Sequence, residues 1–201
     1  MKFLKGSAQK KISLVDGMLR HEIKGATTLK VTDFYTHNPF PNYNGFESKL
    51  DLDRILKANP FLRDLKDVVG FGKRFIEVGS GTCQLSLAMA HGTNNLVVAF
   101  DPTLQSLVLG KEFADKNKIQ NVVFLNADIF DDVIENDYFD VVWCSGVLMC
   151  TQDPQKGFEV ISKWVKPGGL IVIGLYNRIG RLRTNFRQVL YRLLGKELGK
   201  W

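Results

Sequence analysis

What the chain lacks narrows it first. No apolar run in its 201 residues approaches the roughly 20 that a membrane-spanning helix needs. The opening MKFLKGSAQKK has no apolar core of the kind a secretion signal carries. Cysteine and histidine are scarce, three of each. Cys83, Cys144 and Cys150, with His21, His37 and His91, make neither a CxxC pair nor a metal-ligand spacing. Disulfide scaffolds and zinc modules are set aside, and a reduced, cytoplasmic chain without structural metal is expected. Disorder is set aside too, because 45% of residues are hydrophobic and only 24% charged. The length suits one domain with a proper core.

Acids are missing from the tail. Between Arg178 and Trp201 seven basic residues face one acid, Glu197, and that excess equals the net charge of +6 for the whole chain. The body is therefore neutral, and any anionic partner belongs at the tail. Leu182, Phe186, Val189, Leu190 and Leu193 fall there at helical spacing, with arginines on other positions. Two readings stand: a sheet-covering helix with a solvated basic face, or a helix that meets RNA or an anionic membrane surface.

Five apolar runs read as strands: Arg74–Val78, Leu96–Phe100, Val122–Asn126, Phe139–Cys144 and Leu170–Leu175. They do not alternate strictly with polar residues, as suits strands buried on both faces. Helical spacing fills Thr82–Ala90, Leu104–Asn117 and Pro154–Val165. Alternating strand and helix predicts an α/β fold with a doubly wound, mostly parallel sheet. KPGG at Lys166–Gly169 is expected to end a helix and start the fifth strand. Before this core, Asp16–Gly17 between apolar runs predicts a hairpin. Asp51–Leu65 reads as a lead-in helix. Phe34–Glu47, rich in aromatics and broken by two prolines, is expected to be neither regular helix nor central strand. It is either a loop over a pocket or a strap on the sheet edge.

The chemistry concentrates in FIEVGSGTCQLS, from Phe75. Gly79 and Gly81 let the backbone turn and approach a ligand closely, and the helix behind them offers free N–H groups. Asp101 ends the second strand, 24 residues past Glu77, where a carboxylate can accept from ribose hydroxyls. A dinucleotide fingerprint requires a third glycine, and Gln84 stands in its place. Glu77 would repel a pyrophosphate but suits a cationic amino-acid moiety. Asp128, after the third strand, can accept from an adenine amino group beside the Ile129 backbone.

Taken as a set, EVGSG, VVAFDP, NADIFD, FDVVWCSGVL and VKPGGLIVIGLYN resemble the class I S-adenosylmethionine-dependent methyltransferases, in the family's order, over about Phe75 to Asn177. The tail and the segment PFPNY look like a small bacterial type within that family. The resemblance implies a Rossmann-like methyltransferase fold with S-adenosylmethionine as cofactor. It implies that Glu77, Gly79, Ser80 and Gly81 hold the methionine part. Asp101 with Pro102 would hold the ribose, Asp128 and Ile129 the adenine, and Cys144 and Ser145 would line the reacting end. Residues 67–201 would form the cofactor-binding domain, and residues 1–66 the hairpin, cover loop and lead-in helix. A small-molecule acceptor is expected. The plain alternatives are a helix cap for Asp101, a surface-turn acid for Asp128, and core or loop positions for Cys144 and Ser145.

Three departures accompany the resemblance. Cys83 takes the loop's third small position, either as close packing or as a thiol activated at a helix N-terminus. Leu148, Met149 and Cys150 stand where similar sequences carry histidines. The last two strands of the family sheet are missing. A fragment of a longer chain, a reduced sheet, or an edge covered by the hairpin or a second subunit would each account for that. For an acceptor that must lose a proton, His37, Tyr43 and Asp153 are the candidate bases. Each has a bland alternative as a packed or capping residue. An NAD-linked oxidoreductase and a non-catalytic cofactor-binding module are the competing readings.

Overall fold

The computed structural model describes residues 1–177, 179–180 and 182–194. Seven strands form one sheet in the order β1-β2-β5-β4-β3-β6-β7. The central strands are β3 (Arg74–Val78), β4 (Leu96–Asp101), β5 (Val122–Asn126), β6 (Phe139–Ser145) and β7 (Val165–Gly174). They run parallel, as short apolar segments separated by helices dictate. Alternate residues serve two cores. Phe75, Val97 and Phe124 face one side; Ile76, Val98 and Leu125 face the other.

The hairpin is real but sits on the opposite edge from β7. Its strands β1 (Ser13–Val15) and β2 (Met18–Arg20) turn through Asp16 and Gly17, both at positive φ, the signature of a type I′ turn. β2 then pairs in parallel with β5, through Leu19 with Leu125. Met18 and Leu19 supply one buried side chain to each core, which fixes β2 there. Of the alternatives for the β7 edge, cover by the hairpin is thus ruled out. Among the described residues no strand pairs with the outer side of β7.

Helices α3 (Lys49–Ala58), α4 (Pro60–Val69), α5 (Gln84–Ala90) and α6 (Leu104–Lys116) cover the Phe75 face. The opposite face takes the N-terminal turn around α1 (Gly6–Gln9), the segment at Ile129–Ile134, and α7 (Pro154–Ser162) with Trp164. The single lead-in helix expected at Asp51–Leu65 is two. Pro60 has no N–H to continue α3 and is favourable at the first position of α4. Asn59 caps α4 by accepting from the Leu62 N–H at 3.3 Å. KPGG lies within β7 rather than before it. It bulges out opposite Asp140, between the pairs Phe139–Val165 and Val141–Leu170. Burial opposes ionisation of the Asp140 carboxyl, but bonds from Lys166 and Arg74 outweigh it and bring its pKa down to about 2.

Two helices lie outside these layers. α2 (Ala26–His37) takes in Phe34–His37, so only the rest of the aromatic segment is irregular. No residue of α2 is buried, and it rests on α6 and on the loops at the carboxyl ends of the strands. α8 (Leu182–Leu194) exposes Leu182, Phe186, Val189 and Leu190, so these apolar side chains do not cover the sheet. Of the tail's basic residues, Arg178, Arg181, Lys196 and Lys200 lie outside the described residues.

Candidate functional site

A parallel sheet collects ligands at the carboxyl ends of its strands, where the chain leaves for the helices. A cavity of about 250 Å³ opens there, with Glu77, Gly79, Ser80, Gly81, Asp101 and Ser145 in its wall. Gly79 has φ +70, and a Cβ on it would lie 2.1 Å from a Val147 methyl. Gly81 has φ +51, and its Cβ would lie 2.3 Å from the Phe40 carbonyl oxygen. Both positions therefore exclude a side chain by space as well as by backbone conformation. The Gly79 and Ser80 N–H groups both donate to the Phe100 carbonyl, strapping the loop to β4.

Two carboxylates are buried in this wall. Glu77 Oε2 accepts from the Ser86 N–H at 2.8 Å and from the Ser86 hydroxyl. Burial pushes its pKa up to about 8, against the pull of those bonds and with a further push from Asp101. Asp101 accepts from the Gly81 N–H at 2.8 Å and from the Thr103 N–H at 2.7 Å. Burial raises it to about 6. No Lys, Arg or His is among the described residues lining the cavity. A buried pair of acids without a basic partner among the described lining residues favours a cation, which draws both toward their ionised forms, over a pyrophosphate.

A smaller cavity of about 60 Å³ adjoins it, walled by Pro102, Asp128 and Ile129 on one side and by Thr28 and Val31 of α2 on the other. Asp128 accepts from the Phe130 N–H at 3.1 Å and from the Thr28 hydroxyl. Nine of the ten residues expected at the site thus line one of the two cavities. Cys144 does not. It is in the core behind Ser145, and burial pushes its thiol up to about 12.

The cover over the larger cavity comes from α2 and the loop after it, through Val31, Tyr35, Phe40 and Pro41. The aromatic segment therefore lies over a pocket. Four hydrogen bonds tie it to the glycine loop. Thr82 donates its N–H to the Phe40 carbonyl at 3.4 Å and its hydroxyl to the Pro41 carbonyl at 2.6 Å. Gln84 Nε2 donates to the Asn42 carbonyl at 2.7 Å, and the Tyr43 hydroxyl donates to the Thr82 carbonyl at 2.7 Å. Gln84, where a dinucleotide loop has glycine, anchors the cover.

The three candidate bases take structural positions. The Tyr43 phenol is raised far above its ordinary range by burial and is committed to Thr82. Asp153 caps α7 by accepting from the Lys156 N–H. His37 is exposed at the end of α2, its ring against the Asp33 carbonyl. Cys83 packs: it is fully buried in the left-handed region, and burial raises its thiol well above the ordinary value. Sequence reasoning missed Tyr35, Cys150 and Tyr176, which border the cavity mouth. Cys150 stands in the histidine-deficient stretch that reads as a loss, so its neighbourhood was the available signal.

The family model described as "Methyltransferase domain" matches residues 71–197. The chain belongs to that methyltransferase family. The ubiquinone biosynthesis O-methyltransferase of Coxiella burnetii is 29% identical over 127 residues, 63% of this chain and 50% of that protein. The demethylmenaquinone methyltransferase of Clavibacter sepedonicus is 33% identical over 103 residues, 51% of this chain and 40% of that protein. The chain thus spans half or less of the length of these curated relatives. Among solved structures, a SAM-dependent methyltransferase from Geobacter sulfurreducens in complex with S-adenosyl-L-homocysteine shares the fold. Its TM-score is 0.52 at 18% identity, over 71% of this chain and 54% of that one. Among the described residues, no helix is long and apolar enough to cross a membrane, and no cluster of three His, Cys, Asp or Glu could hold a metal.

Proposed function

We propose that this chain is an S-adenosylmethionine-dependent methyltransferase whose acceptor is a small molecule bearing a hydroxyl on an aromatic ring. The observation that carries the cofactor is the pair of buried carboxylates, Glu77 and Asp101, in a cavity wall with no basic side chain among the described lining residues. That wall suits a ligand that bears a cationic amino acid and a sulfonium, and it disfavours NAD. Glu77 and the Gly79–Gly81 backbone would hold the methionine part, with Ser80 beside it. Asp101 and Pro102 would meet the ribose, and Asp128 and Ile129 the adenine once the Thr28 hydroxyl yields its oxygen. Ser145 would stand at the reacting end, with Cys144 as its buried support.

Bound there, the sulfonium supplies an already activated methyl group. The chain's own contribution is alignment and exclusion of water. The Phe40–Pro41 cover and Tyr35 close one side, and the glycine loop positions the other. Among the described residues no histidine lines the cavity, and both carboxylates are engaged by backbone or Ser86. An acceptor that loses its proton readily fits this arrangement better than an aliphatic alcohol. The relatives named for ubiquinone and menaquinone biosynthesis support a ring-bearing acceptor for the same reason.

Thermal shift with S-adenosylhomocysteine against NAD tests the cofactor. Stabilisation by the first and none by the second is expected; the reverse would refute the reading. Methyl-labelled cofactor offered with catechols and with aliphatic alcohols tests the acceptor. Label on the catechol oxygen is expected. Binding of the cofactor without transfer to any ring hydroxyl would leave a binding module and defeat the acceptor assignment.

A further inference from the structure

We propose that α8 is a peripheral docking element for an anionic lipid surface. The packed helices α3 to α6 bury apolar side chains in the core, whereas the apolar side chains of α8 among the described residues are exposed. Leu182 is 60% exposed, Phe186 64% and Val189 50%, and with Leu190 they share one face at helical spacing. Ile179, just before the helix, is 76% exposed and extends the apolar surface. Arg183 and Arg187 are exposed beside that stripe and make no ion pair among the described residues. The helix sequence LRTNFRQVLYRLL contains three arginines and no acid.

Charge and apolarity together select the occupant. A nucleic-acid backbone would satisfy the arginines but would leave Leu182, Val189 and Leu190 in water, since phosphates and sugars offer nothing to aliphatic side chains. A second copy of the helix would set arginine against arginine with no acid to relieve it. A bilayer with anionic headgroups satisfies both features. The stripe sinks to the level of the upper acyl chains while the arginines reach the phosphates. This docking stands on α8 alone and does not depend on which acceptor is methylated.

Co-sedimentation of the whole chain with vesicles tests it. Vesicles containing phosphatidylglycerol are expected to retain the chain at least about tenfold better than pure phosphatidylcholine vesicles. Arg183→Glu with Arg187→Glu is expected to lower that partitioning by about twentyfold or more, and Phe186→Ser by about tenfold. Melting by circular dichroism shows that each variant keeps the parent fold, because these side chains are exposed. Equal retention by both vesicle types, or wild-type retention by the double variant, would overturn the proposal. So would RNA binding through the same arginines without vesicle binding, or a lipid-free dimer that Phe186→Ser dissociates.

Discussion

The glycine loop after β3 and the cover segment above it wall the same cavity by opposite means. The loop is built into the sheet. Its N–H groups bond the Phe100 carbonyl, its glycines sit against Val147 and Phe40, and Cys83 behind it is fully buried. The cover contributes no buried residue from α2 and is held to Thr82 and Gln84 by four hydrogen bonds, one of them donated by its own Tyr43. One wall thus moves only if the sheet is disturbed. The other can lift at the loss of those bonds, each worth about 1 kcal/mol, and of the packing of Tyr43 and Phe46 on Phe113. A cavity closed this way can admit its ligand from the cover side while keeping the binding groups rigid.

The contrast can be broken hardest at Gly79. Gly79→Val places methyl groups where the Val147 side chain already lies, at a φ that disfavours any Cβ. A loss of roughly 2–5 kcal/mol in urea unfolding is expected, with S-adenosylhomocysteine binding abolished in calorimetry. Unchanged binding would mean that the loop is less rigid than its packing indicates.

Glu77→Gln separates binding from stability. Glu77 has a folded pKa of about 8 against an ordinary 4.5, so between those values the folded chain holds a proton that the unfolded chain has released. Stability of the ligand-free chain therefore falls as pH rises through that window. An ammonium group beside Glu77 favours its ionised form, so S-adenosylhomocysteine, through the ammonium of its amino-acid end, should bind more tightly at pH 8 than at pH 6. Glu77→Gln should flatten both pH slopes, raise the melting temperature at pH 8, and weaken binding by about tenfold or more. Titration calorimetry and thermal melts across that range check each sign.

Gln84→Ala and Tyr43→Phe act on the cover alone. Each should cost about 1 kcal/mol, speed proteolysis within residues 38–47, and weaken cofactor binding only a few-fold. A much larger effect on binding would move the cover into the rigid half of the comparison. At the small end, His37→Ala should change stability by less than about 0.5 kcal/mol and leave methyl transfer unaltered, because the ring is exposed and lines neither cavity. A large loss of transfer rate would restore His37 as a base.

The rigid wall was also the legible one. β3 and β5 begin and end where their apolar runs do, because strands buried on both faces must be apolar throughout. Nine of the ten expected site residues reach a cavity because the turns at strand ends are set by local glycines and acids. The cover was half legible. Proline and aromatics marked Phe40–Tyr43, but α2 carries no buried stripe for periodicity to reveal. The break at Asn59–Pro60 was readable in principle, since proline marks a first helical turn. Cys144 and Ser145 are expected together at the reacting end, and the structure separates them. On a strand, neighbours point to opposite faces, and Ser145, not Cys144, borders the cavity.

By itself the sequence determined the strand–helix alternation, the hairpin turn, the glycine loop with its acids, and the resemblance that follows from their order. These depend on neighbours within a few residues, where propensity, patterning and turn geometry act. Only the tertiary structure decided that the hairpin joins β5 rather than β7, that Gln84 anchors a cover, and that Thr28 reaches Asp128. It also decided that α8 leaves its apolar stripe in the open. Those outcomes depend on which surfaces meet across long stretches of chain. Local composition cannot specify such meetings, because the same apolar stripe suits a sheet, a partner or a membrane equally well.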